Sequence, residues 1–319
     1  MLQYLIILLD DRSASYCSLT PSPSPRGEGS RISLADLKLG ILFAMKENLN
    51  IQFVLPDEAL PTDYEEAMDS IDHTKIVSAK SHYAKDADVL VLNNDLHESN
   101  ELPVGKPCVL RLSKQELFDG VETINNLLGK VTRLNVVLTD TETFTDDDFE
   151  TYKSVLKIFS DELERLYLDG QSPQLNLLTD RMMLAQMNNC GAGETNVTLA
   201  PNGRFYVCPA FYYEDENDSI GDLEHGLNIR NKQLYKLDYA PICRHCDAWQ
   251  GRRCIWLNRK TTLEVNTPSH EQCVVAHLER NASADLLRRI RQHGTFLPEQ
   301  PDFQETDYLD PFDKRDTWQ

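Results

Sequence analysis

Short apolar runs alternate with stretches of helical periodicity through the first 188 residues. Tyr4 to Leu9 is a continuous apolar run of strand length, as expected of a strand buried on both faces. Ser33 and Asp36 open a helix whose apolar positions Leu34, Leu37, Ile41, Leu42 and Met45 repeat at helical spacing. Ile51 to Leu55 reads as a second strand, ended by Pro56, and a short helix follows Pro61. Val89 to Leu92 and Cys108 to Leu112 are further strands, with Ile76 and Val77 as a minor one. Ser113 and Glu116 cap a helix running through Leu128, and Leu134 to Leu138 is the next strand. Thr145 and Asp148 cap a long acidic helix to about Leu168. Leu175 to Leu178 closes the strand series, and a short helix lies around Met183.

Six main strands alternating with helices imply a parallel sheet with helices outside. Periodicity alone fits an open doubly wound sheet as well as a partial barrel. No glycine-rich phosphate loop follows any of the strands, so the usual nucleotide fingerprints are absent. Thr20 to Ser30 (TPSPSPRGEGS) is low-complexity and reads as a flexible loop. The tail from Gly294 is rich in Asp, Glu and Pro and reads as an extended appendage.

Charge narrows the function. Lys and Arg number 32 against 51 Asp and Glu, a net charge of −19 that repels phosphate backbones and argues against nucleic-acid binding. Leu5 to Leu9 is far short of a membrane span and lacks the basic flank of a signal peptide, so a cytoplasmic protein without a membrane partner is expected. In that reducing compartment the eight cysteines are not expected to form structural disulfides.

The cysteines are unevenly spread. Cys17 and Cys108 stand alone, whereas Cys190, Cys208, Cys243, Cys246, Cys254 and Cys273 crowd the C-terminal part. The Cys243-x2-Cys246 pair puts two thiolates on one turn, where both can bind the same metal, and remote cysteines can complete the shell. Three readings fit the spacing: an iron–sulfur cluster, structural zinc, or small buried thiols. The last suits these polar, loop-like segments least. Composition divides the chain into 1–188, a cysteine-rich module over 189–280, and a C-terminal helix with an acidic tail over 281–319.

Several non-cysteine positions accompany the cysteines. Cys190-Gly-Ala-Gly, Ala200-Pro-Asn-Gly203-Arg-Phe-Tyr-Val-Cys208-Pro, Ile220-Gly-Asp-Leu and the final four cysteines together resemble a SPASM domain, the C-terminal module of radical SAM enzymes that mature peptides. The resemblance implies that Cys243, Cys246, Cys254 and Cys273 hold an outer auxiliary 4Fe–4S cluster. It also implies that Cys190 and Cys208 are two ligands of an inner one. The inner set is incomplete, because Asn258 stands where the family has a further cysteine. The resemblance also implies a partial (β/α)6 TIM-like barrel for the N-terminal region.

That barrel normally carries a CxxxCxxC triplet whose cluster binds and cleaves SAM. The matching positions here are Asp10, Ala14 and Cys17, and the family's Gly-Gly-Glu after the second strand reads Pro56-Asp57-Glu58. Proline removes an N–H and obstructs close backbone approach. One cysteine cannot hold a cluster, so no SAM cofactor and no SAM-cleaving residues are expected, and the catalytic residues are unassigned. A SPASM module on such a degenerate core resembles the CXXX-repeat peptide maturases, as does the run Leu2 to Cys17. This implies a maturation protein for a ribosomally synthesised, cysteine-repeat peptide, partnered by the precursor, by a catalytic protein, or by both. The chain starts at its first strand, so a winged-helix leader-binding module is not expected ahead of it. The alternative is a zinc-stapled scaffold or adaptor without redox activity.

The remaining residues read as structural. Cys17 is a relic or a half-buried thiol with no basic neighbour to activate it. Cys108 is core. His245 points away from the CxxC site, while His225, His270 or His277 could replace a missing inner ligand. Asp146 to Asp148 complement a helix dipole.

Overall fold

The computed structural model describes residues 2–19, 30–93, 104–183, 190–248, 254–300 and 303. In chain order the first elements are β1 (Tyr4–Leu8), α1 (Leu34–Glu47), β2 (Asn50–Val54), α2 (Thr62–Met68), β3 (His73–Ser78) and β4 (Val89–Leu92). Next come β5 (Pro107–Leu112), α3 (Lys114–Asp119), α4 (Val121–Leu128), β6 (Arg133–Leu138), α5 (Asp146–Leu168), β7 (Gln174–Leu175) and α6 (Thr179–Met183). The rest are β8 (Asn196–Leu199), β9 (Phe205–Tyr206), α7 (Pro209–Glu214), β10 (Gly221–Asp222), β11 (Gly226–Leu227), α8 (Ile255–Thr262) and α9 (His270–Arg291). Nearly all of the low-complexity segment and most of the acidic tail lie outside the described residues.

Two compact units result: residues 1–92 with 190–235, and residues 93–189 with 236–319. In the first unit the strand order is β4-β3-β2-β1-β8-β9, parallel throughout except for the antiparallel β8–β9 pair. In the second, β5, β6 and β7 are consecutive and parallel. Consecutive strands are thus neighbours with no reversal of order inside β1–β4 or β5–β7. A barrel-type winding does this, whereas a doubly wound sheet reverses direction at a switch point. The sheet is therefore the mostly parallel α/β type expected.

Apolar continuity explains the centre of the first unit. Leu5 to Leu8 are all buried in β1, flanked in register by Ile51 of β2 and Val197 of β8. Gly40 lets α1 approach β8: a Cβ there would lie 2.5 Å from Leu199 Cδ2. In the second unit β6 buries Leu134, Val136 and Leu138. There the apolar stripe Phe149, Tyr152, Val155, Leu156, Phe159, Leu163 and Leu166 of α5 is buried. α9 buries a stripe of its own through Val275, Leu286, Leu287 and Ile290.

Three local expectations need correction. The helix expected from Ser113 to Leu128 is two helices, α3 and α4, divided at Gly120. Gly120 is the C-cap of one and the N-cap of the other, and a Cβ there would lie 2.8 Å from the Glu116 carbonyl oxygen. The strand expected over Leu175 to Leu178 pairs only at Gln174 and Leu175. Leu177 and Leu178 are buried in the turn into α6 instead, so their apolarity reflects burial rather than extension. The minor strand at Ile76 and Val77 is a full six-residue strand.

The long acidic helix begins where its capping box places it. Thr145 accepts from the Asp148 backbone N–H, and Asp148 reciprocates at Thr145. Lys114 Nζ, 2.7 Å away, and the Thr145 groups hold the Asp148 carboxyl below its ordinary value. A carboxylate with a lowered folded-state value stabilises above its unfolded value near pH 4 and loses that contribution as pH falls through the folded one. Asp148→Asn is therefore expected to cost about 1 kcal/mol at pH 7. The wild-type advantage should shrink below about pH 4 in urea titrations at several pH values. A cost independent of pH would rule out the ionised capping box as its source.

Candidate functional site

The position of the first triplet cysteine is occupied by a buried carboxylate. Asp10 directly follows the core residue Leu9, and its side chain is 1% exposed. Arg12 Nε lies 3.1 Å from Asp10 Oδ1, and the Arg12 backbone N–H donates to the same oxygen at 2.9 Å. Arg31, bridged to Asp10 through the backbone, brings its Nε to 3.5 Å from Oδ2, an ion-pair distance. Arg12 also reaches Glu58 Oε1 at 3.1 Å. Glu58 is the last residue of the Pro-Asp-Glu that stands in for the SAM-contacting Gly-Gly-Glu. The Asp10 hydrogen bond is the main reason that the Arg12 guanidinium is held above its usual value. The Pro56 carbonyl accepts from Ser81 Oγ at 3.0 Å, and the Ala14 N–H donates to Leu55 O at 3.3 Å. Asp10, Arg12, Arg31 and Glu58 are thus tied into one polar network, with the Ala14 backbone held separately to Leu55.

Cys17, the surviving triplet member, belongs to a second cluster in the same unit. The buried Tyr16 hydroxyl titrates well above its ordinary value, chiefly because of burial and then because of Cys17, Cys208, Cys190 and Tyr213 nearby. Cys17, Cys190 and Cys208 thus all lie within electrostatic reach of one tyrosine. Cys190 is exposed, whereas Cys208 is buried at the N-cap of α7, ahead of Pro209. After Cys190 the chain turns sharply at Gly191, φ +68°, where a Cβ would meet Thr195 Oγ1 at 1.9 Å. Asn196 Nδ2 closes the turn by donating to the Cys190 carbonyl. Tyr212 of α7 donates to Asp11 Oδ1 at 2.5 Å, tying this helix to the loop that carries Tyr16 and Cys17.

The four outer cysteines all lie in the second unit. Cys243 and Cys246 share one helical turn, with the Cys246 N–H donating to Cys243 O at 3.1 Å. Cys246, Asp247 and Ala248 are each held from outside that turn. Cys246 Sγ lies 3.5 Å from His277 Nε2. Asp247 pairs with Arg280 at 2.7 Å. The Ala248 carbonyl faces Arg181 Nη2 at 3.5 Å. Cys273 precedes His277 by one turn of α9, so the two stack on one face of that helix. Cys254 is the N-cap of α8. One turn later comes the fully buried Asn258, whose Oδ1 accepts from Gln272 Nε2 at 2.8 Å while its Nδ2 donates to Val265 O at 2.9 Å. Gln272 neighbours Cys273, so this amide pair links the helices that carry Cys254 and Cys273. Asn258, at the family's missing inner-ligand position, thus has both ends of its amide hydrogen-bonded within the second unit.

Among the described residues, no group of three or more His, Cys, Asp or Glu side chains is arranged to hold a single metal ion. Four thiols, the donor type that iron–sulfur clusters use, lie in one unit, Cys243 and Cys273 buried and Cys246 and Cys254 partly so. The other candidates have structural surroundings. His245 is exposed. His225 pairs with Asp222 at 2.9 Å, and His270 packs edge-on against Phe149. Burial pushes the Cys108 thiol up to about 12, as expected of a core cysteine. Sequence reasoning missed Arg181 and Glu279, an ion pair with both side chains buried, because nothing in their local pattern marks them as partners. No described helix is long and apolar enough to cross a membrane.

Comparison with solved structures decides the fold. The peptide maturase anSMEcpe, solved with bound AdoMet and Cp18Cys peptide, superposes with a TM-score of 0.58 over 92% of this chain and 100% of that one. The fold is therefore that of anSMEcpe. A polyhistidine-tagged anSMEcpe with bound AdoMet gives a TM-score of 0.61 over 91% of this chain and 96% of that one. The Kp18Cys peptide complex gives 0.59 over 91% and 99%. Sequence identity to these radical SAM/SPASM chains is 10–11%, so the likeness is one of fold. All three comparison proteins hold AdoMet, which lends no support to the expectation that this chain does without it. No protein-family model and no curated protein matched the sequence.

Proposed function

We propose that this protein is a maturation factor for a ribosomally synthesised, cysteine-repeat peptide. In this reading it binds the precursor on a radical SAM/SPASM scaffold, carries one outer 4Fe–4S cluster, and works with a catalytic partner that supplies the SAM chemistry it lacks. The observation that carries this reading is the buried Asp10 carboxylate at the first triplet position, ion-paired to Arg12 and Arg31. An iron cluster needs three thiolates here, whereas this site offers one thiol, a carboxylate with two arginines beside it, and Ala14. Arg12 also engages Glu58, the residue that would otherwise be available to a SAM amine. Peptide binding is supported by the fold shared with the two peptide complexes.

Cys243, Cys246, Cys254 and Cys273 would hold the cluster, and Cys190 and Cys208 stay an incomplete inner set. A cluster on these thiolates would take up and release single electrons. The test is incubation of the anaerobically reconstituted protein with SAM and dithionite. No 5′-deoxyadenosine above the cluster-free control is expected, and its appearance at turnover rates would overturn the proposal. Zinc in place of iron and sulfide in the same preparation would instead favour an adaptor without redox activity.

A further inference from the structure

We propose that His277 is a positioning residue of the outer metal centre, its Nε2–H donating a hydrogen bond to the Cys246 thiolate and raising the cluster's reduction potential. This inference rests on the reading that the four outer cysteines hold a 4Fe–4S cluster. Cys246 Sγ and His277 Nε2 are 3.5 Å apart, ordinary for a nitrogen donor to sulfur. The approach is built from both sides. On α9, Cys273, His277 and Arg280 follow one another at four and three residues, so they form one stripe along the helix. Opposite them, Asp247 is clamped by Arg280 at 2.7 Å, and the Ala248 carbonyl lies 3.5 Å from Arg181 Nη2. The residues directly after Cys246 are thus fixed independently of the imidazole. His277 is half-buried, which shields the contact from competing water.

The chemistry follows from the charge on sulfur. A reduced cluster carries one more negative charge than an oxidised one, and part of it resides on the thiolate sulfurs. A hydrogen-bond donor to one of them stabilises the reduced state more than the oxidised state. Such bonds are among the determinants of cluster potential, and groups around the ligands orient them as well. The donor reaches the thiolate because α9 carries His277 one turn beyond Cys273.

The experiment compares wild type, His277→Phe and His277→Gln as anaerobically reconstituted full-length proteins. Iron, sulfide, far-UV circular dichroism and an EPR-monitored redox titration are measured on each. Expected are unchanged iron content in all three and a lower midpoint in His277→Phe. The reduced-to-oxidised ratio at fixed ambient potential should fall about tenfold, or 59 mV for one electron. The glutamine amide should recover part of the shift, because it restores a donor without a ring. Equal midpoints in iron-loaded wild type and His277→Phe would overturn the role of His277 while leaving the cluster intact. Loss of iron in His277→Phe, or a strongly coupled nitrogen in the wild-type pulsed EPR spectrum, would make His277 a ligand and also overturn it. Wild type without iron would sink the cluster reading itself.

Discussion

Replacing Glu279 with alanine is expected to destabilise the protein by about 3–5 kcal/mol, the cost of stranding one charge of a buried pair. The Glu279 side chain is fully buried, with Oε2 at 2.9 Å from Arg181 Nη1. Its other oxygen accepts from Tyr152 Oη at 2.8 Å. Arg181 is itself 1% exposed and also donates to the Leu177 carbonyl. Removing the carboxylate leaves the guanidinium with carbonyl acceptors but no counter-charge. Tyr152→Phe should cost less, about 1.5–3 kcal/mol, since a hydrogen bond to the charged carboxylate is lost while the ion pair stays. The double variant Arg181→Met/Glu279→Leu should recover most of the loss, because an apolar pair of similar volume avoids the desolvation penalty. Urea unfolding with an unchanged m value measures all three. A loss under about 1 kcal/mol for Glu279→Ala would mean that water reaches the pair.

Cys246→Ala is expected to remove the outer cluster, about four irons per chain for an all-cysteine 4Fe–4S site. Cys190→Ala should cost far less iron and Cys17→Ala none, because neither belongs to the outer set. Metal–thiolate bonds contribute strongly to folding, with about 10–16 kcal/mol of apparent binding free energy as the scale for structural zinc. The resulting protease sensitivity should concentrate around Cys243 and Cys246. The second unit keeps anchors of its own around them: the Asp247–Arg280 ion pair, the Asn258–Gln272 amide bond and the capping box at Ser269. Iron and sulfide analysis with limited proteolysis reads both effects. If Cys17→Ala removed the iron while Cys246→Ala kept it, the cluster would lie at the barrel position. Equal partial losses in Cys190→Ala and Cys246→Ala would mean two occupied sites.

What the sequence made legible was local. The capping boxes at Ser113 and Thr145 placed helix starts to the residue, because both partners lie within one turn. The apolar run before Asp10 marked β1 for the same reason. The Asp10 network was not legible, because Arg31 and Glu58 reach it only after the chain has folded back. Leu175 to Leu178 misled as a strand, since apolarity reports burial and not backbone extension. The electrostatic proximity of Cys17, Cys190 and Cys208 to Tyr16 was equally hidden, because the three lie far apart in the chain.

Helix α9 presents two lateral faces whose phase relation is fixed by its pitch. Cys273, His277 and Arg280 address the CxxC loop, while Glu279, Ser283, Leu286 and Ile290 are buried. One residue inserted between Cys273 and His277 would rotate everything after it by about 100°. His277, Glu279 and Arg280 would all leave their partners at once, although no ligand cysteine had been altered. A substitution in this segment disturbs one contact, whereas a change of length dephases the CxxC loop from the core. The four-residue interval from Cys273 to His277 is therefore a length constraint, independent of which side chains occupy the positions between them.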